Sequence, residues 1–139
     1  MVYISKSDEE TRKIGFEFGK TLKAGDVVCL TGDLGAGKTT FTKGVARALN
    51  VPYEPVSPTF NIVNSYDGEK LTLYHFDLYR LHDTNDLMGI DFDDYLFSGG
   101  VCMIEWPDIA YPLLDSFYTV HLSYDGENRK IEIGEGEKA

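Results

Sequence analysis

The sequence predicts an α/β protein: a mixed, mostly parallel central sheet flanked by helices, with an antiparallel hairpin and a C-terminal strand pair. Three observations carry this prediction. Two uninterrupted apolar runs, Val27–Leu30 and Val101–Ile104, read as strands buried on both faces. Helix-periodic segments precede and follow the first run. Two further pairs of apolar-rich segments each flank an Asp-Gly step, a hairpin signal.

The elements follow in chain order. Ser7-Asp8-Glu9-Glu10 reads as a capping box, with Ser at the cap and Glu three residues on. The helix it opens is expected to reach about Leu22, with Ile14, Phe18 and Leu22 as its core stripe and Gly25 as its stop. The strand Val27–Leu30 runs into a glycine-rich turn from Thr31 to Gly37. A second helix, from Lys38 to about Leu49, places Phe41, Val45, Ala48 and Leu49 on one face, and Asn50 and Pro52 end it. Three prolines between Val51 and Pro58 predict a loop. Residues 60–66 and 70–76 are expected to pair about a two-residue turn at Asp67-Gly68. Gly89 to Gly100 is acidic and irregular, with room for short helical turns. The strand Val101–Ile104 ends at Glu105-Trp106-Pro107, and residues 117–124 and 129–133 form the last pair around Asp125-Gly126. Gly134 to Ala139 is polar and expected to fray. This order places the parallel strands in the middle and the antiparallel ones at one side.

Composition narrows the function classes. A chain of 139 residues is expected to fold as one domain over 1–139. With 42% hydrophobic and 26% charged residues, disorder along the whole chain is excluded. No apolar run is long enough to span a bilayer, and residues 1–10 lack the basic and apolar regions of a signal peptide. The net charge of −10 repels phosphodiester backbones and anionic lipid. Strong direct nucleic-acid binding is therefore not expected, and a basic protein partner fits better. Cys29 and Cys102 lie in apolar runs without metal-site spacing. They read as buried thiols in a reducing cytoplasm, with a bridge as the lesser alternative.

One motif carries chemistry. Gly32-Asp33-Leu34-Gly35-Ala36-Gly37-Lys38-Thr39 matches G-x-x-x-x-G-K-[ST] at every fixed position, between a buried strand and an amphipathic helix. Glycines let the backbone turn with positive φ and aim N–H groups at phosphate oxygens. The helix points its positive end at the same anion. Lys38 supplies a point charge to the β- and γ-phosphates, and Thr39 offers a hydroxyl to Mg²⁺. The alternative is a plain glycine turn with an exposed lysine. The metal also needs a carboxylate. Glu105, at the end of an apolar strand, stands where a Walker B acid belongs and is preferred as ligand, directly or through water. Asp77 competes: it orients the attacking water or holds a metal-bound water, or it is a turn residue partnered by Arg80.

Four segments together resemble one family. Gly32–Thr39, Ser57-Pro58-Thr59-Phe60, His75-Phe76-Asp77-Leu78-Tyr79-Arg80 and Glu105-Trp106-Pro107 are similar in order and spacing to the TsaE (formerly YjeE) family, over Thr11 to about Arg129. The resemblance implies a bacterial P-loop ATPase that serves the threonylcarbamoyl modification of adenosine 37 in tRNA. It implies action with TsaB and TsaD, TsaD carrying the transfer chemistry. By the same resemblance Gly35, Ala36, Gly37, Lys38, Thr39 and Thr40 would wrap the phosphates, and Thr39 and Glu105 would serve Mg²⁺. Thr11 would lie near the adenine or ribose, Arg129 near another nucleotide contact, and Thr59 would sense the γ-phosphate from a switch element. Trp106 would stand beside the metal acid.

Other features of the sequence read as ordinary surface or packing. Asp91, Asp93 and Asp94 lack the Gly and Glu of a calcium loop and read as solvated surface. His75 reads as a hydrogen-bonded structural residue, and the tyrosines as packing. Beside the switch-like ATPase stand a small P-loop kinase, for which acceptor pocket and arginine lid have little room, and a nucleotide sensor that does not hydrolyse. GTP is disfavoured because no [NT]-K-x-D base-reading motif is present.

Overall fold

The computed structural model describes residues 1–33, 35–56, 58 and 61–137. Its first element was not expected. Val2–Ser5 forms strand β1, too short and too exposed at Val2 and Ile4 to leave an apolar signature. Helix α1 spans Asp8–Gly19 and starts as the capping residues require: Ser7 Oγ accepts the Glu10 N–H at 3.1 Å. The reciprocal arm differs from the expected box, since the Glu10 carboxylate accepts the N–H of Lys6 rather than that of Ser7. The helix stops about one turn before Leu22, which still packs into the core from the following turn.

Strand β2 spans Val27–Gly32, helix α2 Lys38–Ala48, β3 Val63–Asp67, β4 Thr72–Asp77, α3 Phe92–Leu96, β5 Val101–Glu105, β6 Ser116–Asp125 and β7 Asn128–Glu137. The seven strands form one sheet in the order β1-β7-β6-β2-β5-β4-β3. Strands β4, β5, β2 and β6 are mutually parallel. Antiparallel pairing occurs at both margins, β3 with β4 and β7 with β6 and β1, so the expectation of one antiparallel side is corrected. The reason is topological: the early hairpin and the C-terminal pair dock on opposite edges of the parallel block.

Both turns depart from their expected centres. In the first hairpin Asp67 pairs with Thr72, so residues 68–71 form a four-residue loop rather than a two-residue turn. Gly68 is required by close approach and not by positive φ: a Cβ there would collide with the carbonyl oxygen of Leu49, and the same oxygen accepts the Glu69 N–H at 3.1 Å. The loop is thereby docked on the end of α2. In the second hairpin Asp125 pairs with Asn128, which makes Gly126-Glu127 the turn, with Gly126 at φ 61°.

Helices α1 and α2 cover one sheet face, burying Phe18, Phe41 and Val45 against Val28, Leu30, Met103, Val120 and Leu122. The opposite face packs Cys29, Phe76, Cys102 and Ile104 against Phe92 and Leu96 of α3 and Leu87 of the 3₁₀ segment Thr84–Ile90. The two helices approach so closely that a Cβ on Gly44 would overlap the Arg12 carbonyl, and one on Gly15 the Phe41 carbonyl. Cys29 and Cys102 are buried and unbridged, and burial pushes both thiols up to about 12.

Two outcomes follow. Gly44→Ala should destabilise the chain by about 1–3 kcal/mol through backbone overlap, read as a lowered Tm, whereas Gly89→Ala, with open space around it, should not. Thiol titration with a disulfide reagent near neutral pH should find both cysteines unreactive in the native chain and both reactive in denaturant.

Candidate nucleotide-binding site

The loop between β2 and α2 is built for close approach. Gly32, at φ 141°, lies so near Leu122 that a Cβ would overlap that residue's carbonyl oxygen. The Asp33 N–H donates to the same oxygen at 3.2 Å and the Ala36 N–H to Asp33 O at 3.1 Å. Gly35 and Gly37 adopt φ 78° and 106°, a left-handed region that L side chains avoid. Gly37 caps α2 without a side-chain hydrogen bond, and the first intrahelical bond runs from Phe41 N–H to Gly37 O at 2.8 Å. The N–H groups of Lys38, Thr39 and Thr40 therefore precede the helical ladder, as first-turn donors do. Thr39 and Thr40 are half-buried, Ala36 is buried and Gly35 is exposed.

Helix α2 and strands β5 and β4 deliver the charges at this loop. Lys38 Nζ donates to Gly32 O at 3.2 Å, lies 3.9 Å from Glu105 Oε1 and sits 4.7 Å from the centroid of the Trp106 ring. Glu105 closes β5, and its Oε2 is 2.6 Å from Nε2 of the fully buried His75. Asp77 is the register partner of Glu105 across β4 and β5, so both carboxylates share the α2 face of the sheet. Asp77 Oδ1 accepts the Tyr79 N–H at 3.0 Å. Burial raises the Asp77 carboxyl above its usual range; the Tyr79 N–H opposes that, and the Glu105 charge adds to it. Trp106 holds φ 55° and ψ 59°, a left-handed conformation costing about 1–2 kcal/mol for a side-chain-bearing residue. Its ring packs against that of Tyr79 with centroids 5.0 Å apart and planes tilted by 54°.

The remaining expected positions border the loop. Thr11 is buried, its methyl 3.6 Å from where a Gly37 Cβ would stand, and its hydroxyl is 2.7 Å from Ser5 Oγ. Arg129 reaches the loop through another residue: its guanidinium lies 4.4 Å from the Tyr124 ring centroid, and the Tyr124 hydroxyl is 2.9 Å from a Cβ built on Gly35. Arg129 also donates to the carbonyls of Glu127 and Asn128. Thr59, with Ser57 and Phe60, lies outside the described residues.

This geometry has known counterparts. A family model described as threonylcarbamoyl adenosine biosynthesis protein TsaE matches residues 5–132. The chain belongs to the TsaE family. Proteins named tRNA threonylcarbamoyladenosine biosynthesis protein TsaE are similar to it throughout. The one from Treponema pallidum is 41% identical over 94% of this chain and 97% of its own length. The one from Aquifex aeolicus is 39% identical over 94% and 92%. The one from Bacillus subtilis is 47% identical over 70% of this chain, a match spanning 61% of that relative. The crystal structure of Bacillus subtilis YdiB superposes with a TM-score of 0.80 at 31% identity, covering 100% of this chain and 86% of that one. The expected α/β, P-loop fold class holds.

For a TsaE-family chain, two residues of this site went unassigned in the sequence. His75 reads there as merely structural, yet its partner is the acid at the end of β5. Strand alternation carries the clue, since His75 lies two residues before Asp77 on the same face. Tyr124 is marked only by its pairing with Arg129 across the last hairpin. Among the described residues no group of three or more His, Cys, Asp or Glu forms a metal cluster. One carboxylate and one hydroxyl suit Mg²⁺, which takes few protein ligands and completes its shell with phosphates and water.

Trp106 is the chain's single tryptophan. Titration with MgATP should change its emission as phosphate draws Lys38 off the ring, and Lys38→Ala should abolish the response. Binding seen by calorimetry with unchanged emission would contradict this coupling.

Proposed function

We propose that this chain is the Mg²⁺-dependent, ATP-binding and ATP-hydrolysing subunit of the bacterial machinery that makes N6-threonylcarbamoyladenosine in tRNA, and that it acts as a switch with TsaB and TsaD. The observation that carries this reading is the Lys38–Glu105 pair, almost closed to solvent beneath a loop of left-handed glycines. That combination suits a triphosphate: donors and a cation for the anion, an acid for its metal.

In this reading Gly35 to Thr40 wrap the phosphates with backbone N–H groups, and Lys38 neutralises the charge that spreads over the γ-phosphoryl group. Thr39 and Glu105 hold the metal. Bound Mg²⁺ would supply charge neutralisation on the phosphates. Asp77 orients the attacking water or a metal-bound water, and Thr11 and Arg129 border the nucleoside. Thr59 senses the γ-phosphate. The net charge of −10 fits a subunit that leaves the tRNA to its partners, and unbridged thiols fit a cytoplasmic setting.

In this reading the arginine finger comes from a partner subunit; Arg80, exposed on the turn after β4, is the candidate within the chain and equally a structural partner for Asp77. A finger supplied by a partner is worth ~10³–10⁵ in rate. The isolated chain should therefore turn over slowly, and TsaB with TsaD should accelerate it; fast turnover alone would count against the switch. Co-purification with TsaB and TsaD should differ among ATP, ADP and no nucleotide. Lys38→Ala should lose nucleotide affinity, while Glu105→Ala should keep metal-free binding and lose hydrolysis. Partner binding indifferent to nucleotide would overturn the proposal.

A further inference from the structure

His75 is the one imidazole sealed inside the described structure, and its side chain's only hydrogen bond there goes to Glu105. It sits on β4 between Asn64 of β3 and Met103 of β5, so its backbone is fixed on both sides by the sheet. Its ring plane is set by that packing, and its Nε2 meets Glu105 Oε2 at 2.6 Å. The other nitrogen, Nδ1, is buried with no partner among the described residues. This asymmetry selects a tautomer. With the proton on Nε2, the ring donates to the carboxylate and leaves only a lone pair unsatisfied. With a proton on Nδ1, a buried N–H would lack an acceptor, the costlier arrangement.

The two oxygens of Glu105 are thus distinguished. Oε2 is taken by His75, while Oε1 faces Lys38 at 3.9 Å, on the side of the phosphate loop. We propose that His75 is a positioning residue: its Nε2–H fixes the rotation of the Glu105 carboxylate so that Oε1 is presented to the metal of the nucleotide. This rests on the reading of the chain as a Mg²⁺-dependent ATPase. The arrangement follows the general pattern in which a metal-binding side chain is oriented by a neighbour that holds its second polar atom.

Two substitutions separate positioning from packing. In His75→Gln the amide nitrogen can stand where Nε2 stands. In His75→Asn it matches Nδ1 and falls short of Glu105. Both are polar and smaller than or similar to His, so both leave a comparable buried site. The measurement is ATP affinity by calorimetry, with Mg²⁺ and with chelator, on the full chain, beside thermal unfolding of each variant. Wild type should bind more tightly with Mg²⁺. His75→Asn should cut that Mg²⁺-dependent gain by about 10–100-fold and leave affinity in chelator within about twofold, and His75→Gln should restore most of the gain. Turnover at saturating MgATP should fall in the Asn variant and recover in the Gln variant.

Equal Mg²⁺ gains in wild type and both variants would overturn the positioning role alone. So would equal losses with and without metal, which would mark His75 as mere packing. A variant that does not fold is replaced by His75→Leu, for which the same loss of the metal-dependent gain is expected. A wild-type chain that binds no ATP under either condition would overturn the proposed function and this inference with it.

Discussion

Two opposite charges are held nearly out of water at the carboxyl edge of the sheet, and the site is organised around that fact. The side chains of Lys38 and Glu105 are 9% and 6% exposed. Burying each ion costs several kcal/mol, while their attraction at this separation returns about 4 kcal/mol at an effective dielectric near 20. The pair alone does not offset its desolvation. The Gly32 carbonyl, the His75 imidazole and the Trp106 ring add further favourable contacts to the two ions. They come from β2, from β4 and from the residue after β5, so the parallel block must be assembled before the charges are tolerable. A dianionic ligand would find a cation already stripped of water, and the protein would gain where it is least satisfied.

How much of this was legible in the sequence depends on whether a feature is local. The glycine loop was legible because its chemistry is written in consecutive residues. The apolar runs at Val27 and Val101 were legible because strands buried on both faces leave no polar alternation. Glu105 was legible by position, at the end of such a run. The strand β1 was not, because four residues, exposed at Val2 and Ile4, borrow their structure from β7. The hairpin turn was misplaced because Asp67-Gly68 looks like a primed turn, whereas Gly68 is needed for the approach to Leu49. The His75–Glu105 bond was hidden for another reason: it depends on register between strands distant in sequence, which no local pattern records. Tyr124 bridging Arg129 to Gly35 is hidden in the same way.

The acidic surface and the cationic cleft divide labour. A net charge of −10 spread over the exterior disfavours polyanions at long range, while the first turn of α2 and Lys38 favour a compact anion at short range. Screening over roughly 8–10 Å lets the two coexist. The aromatic pair Tyr79 and Trp106 lies exposed at the rim between these regimes, with Trp106 in contact with the lysine.

The central position of β2 has a consequence for how the chain comes into being. Both of its neighbours, β5 and β6, are encoded in the last third of the polypeptide. As the nascent chain leaves the ribosome, α1 and α2 can dock early through their glycine contact, since they are close in sequence. The strand that leads into the phosphate loop must wait, its edges open, until the final segments emerge. Loop closure of that length makes assembly slow and leaves an apolar strand exposed to wrong pairing in the interval. Truncated products ending before β5 would therefore carry the whole glycine loop and yet have no platform on which to form it.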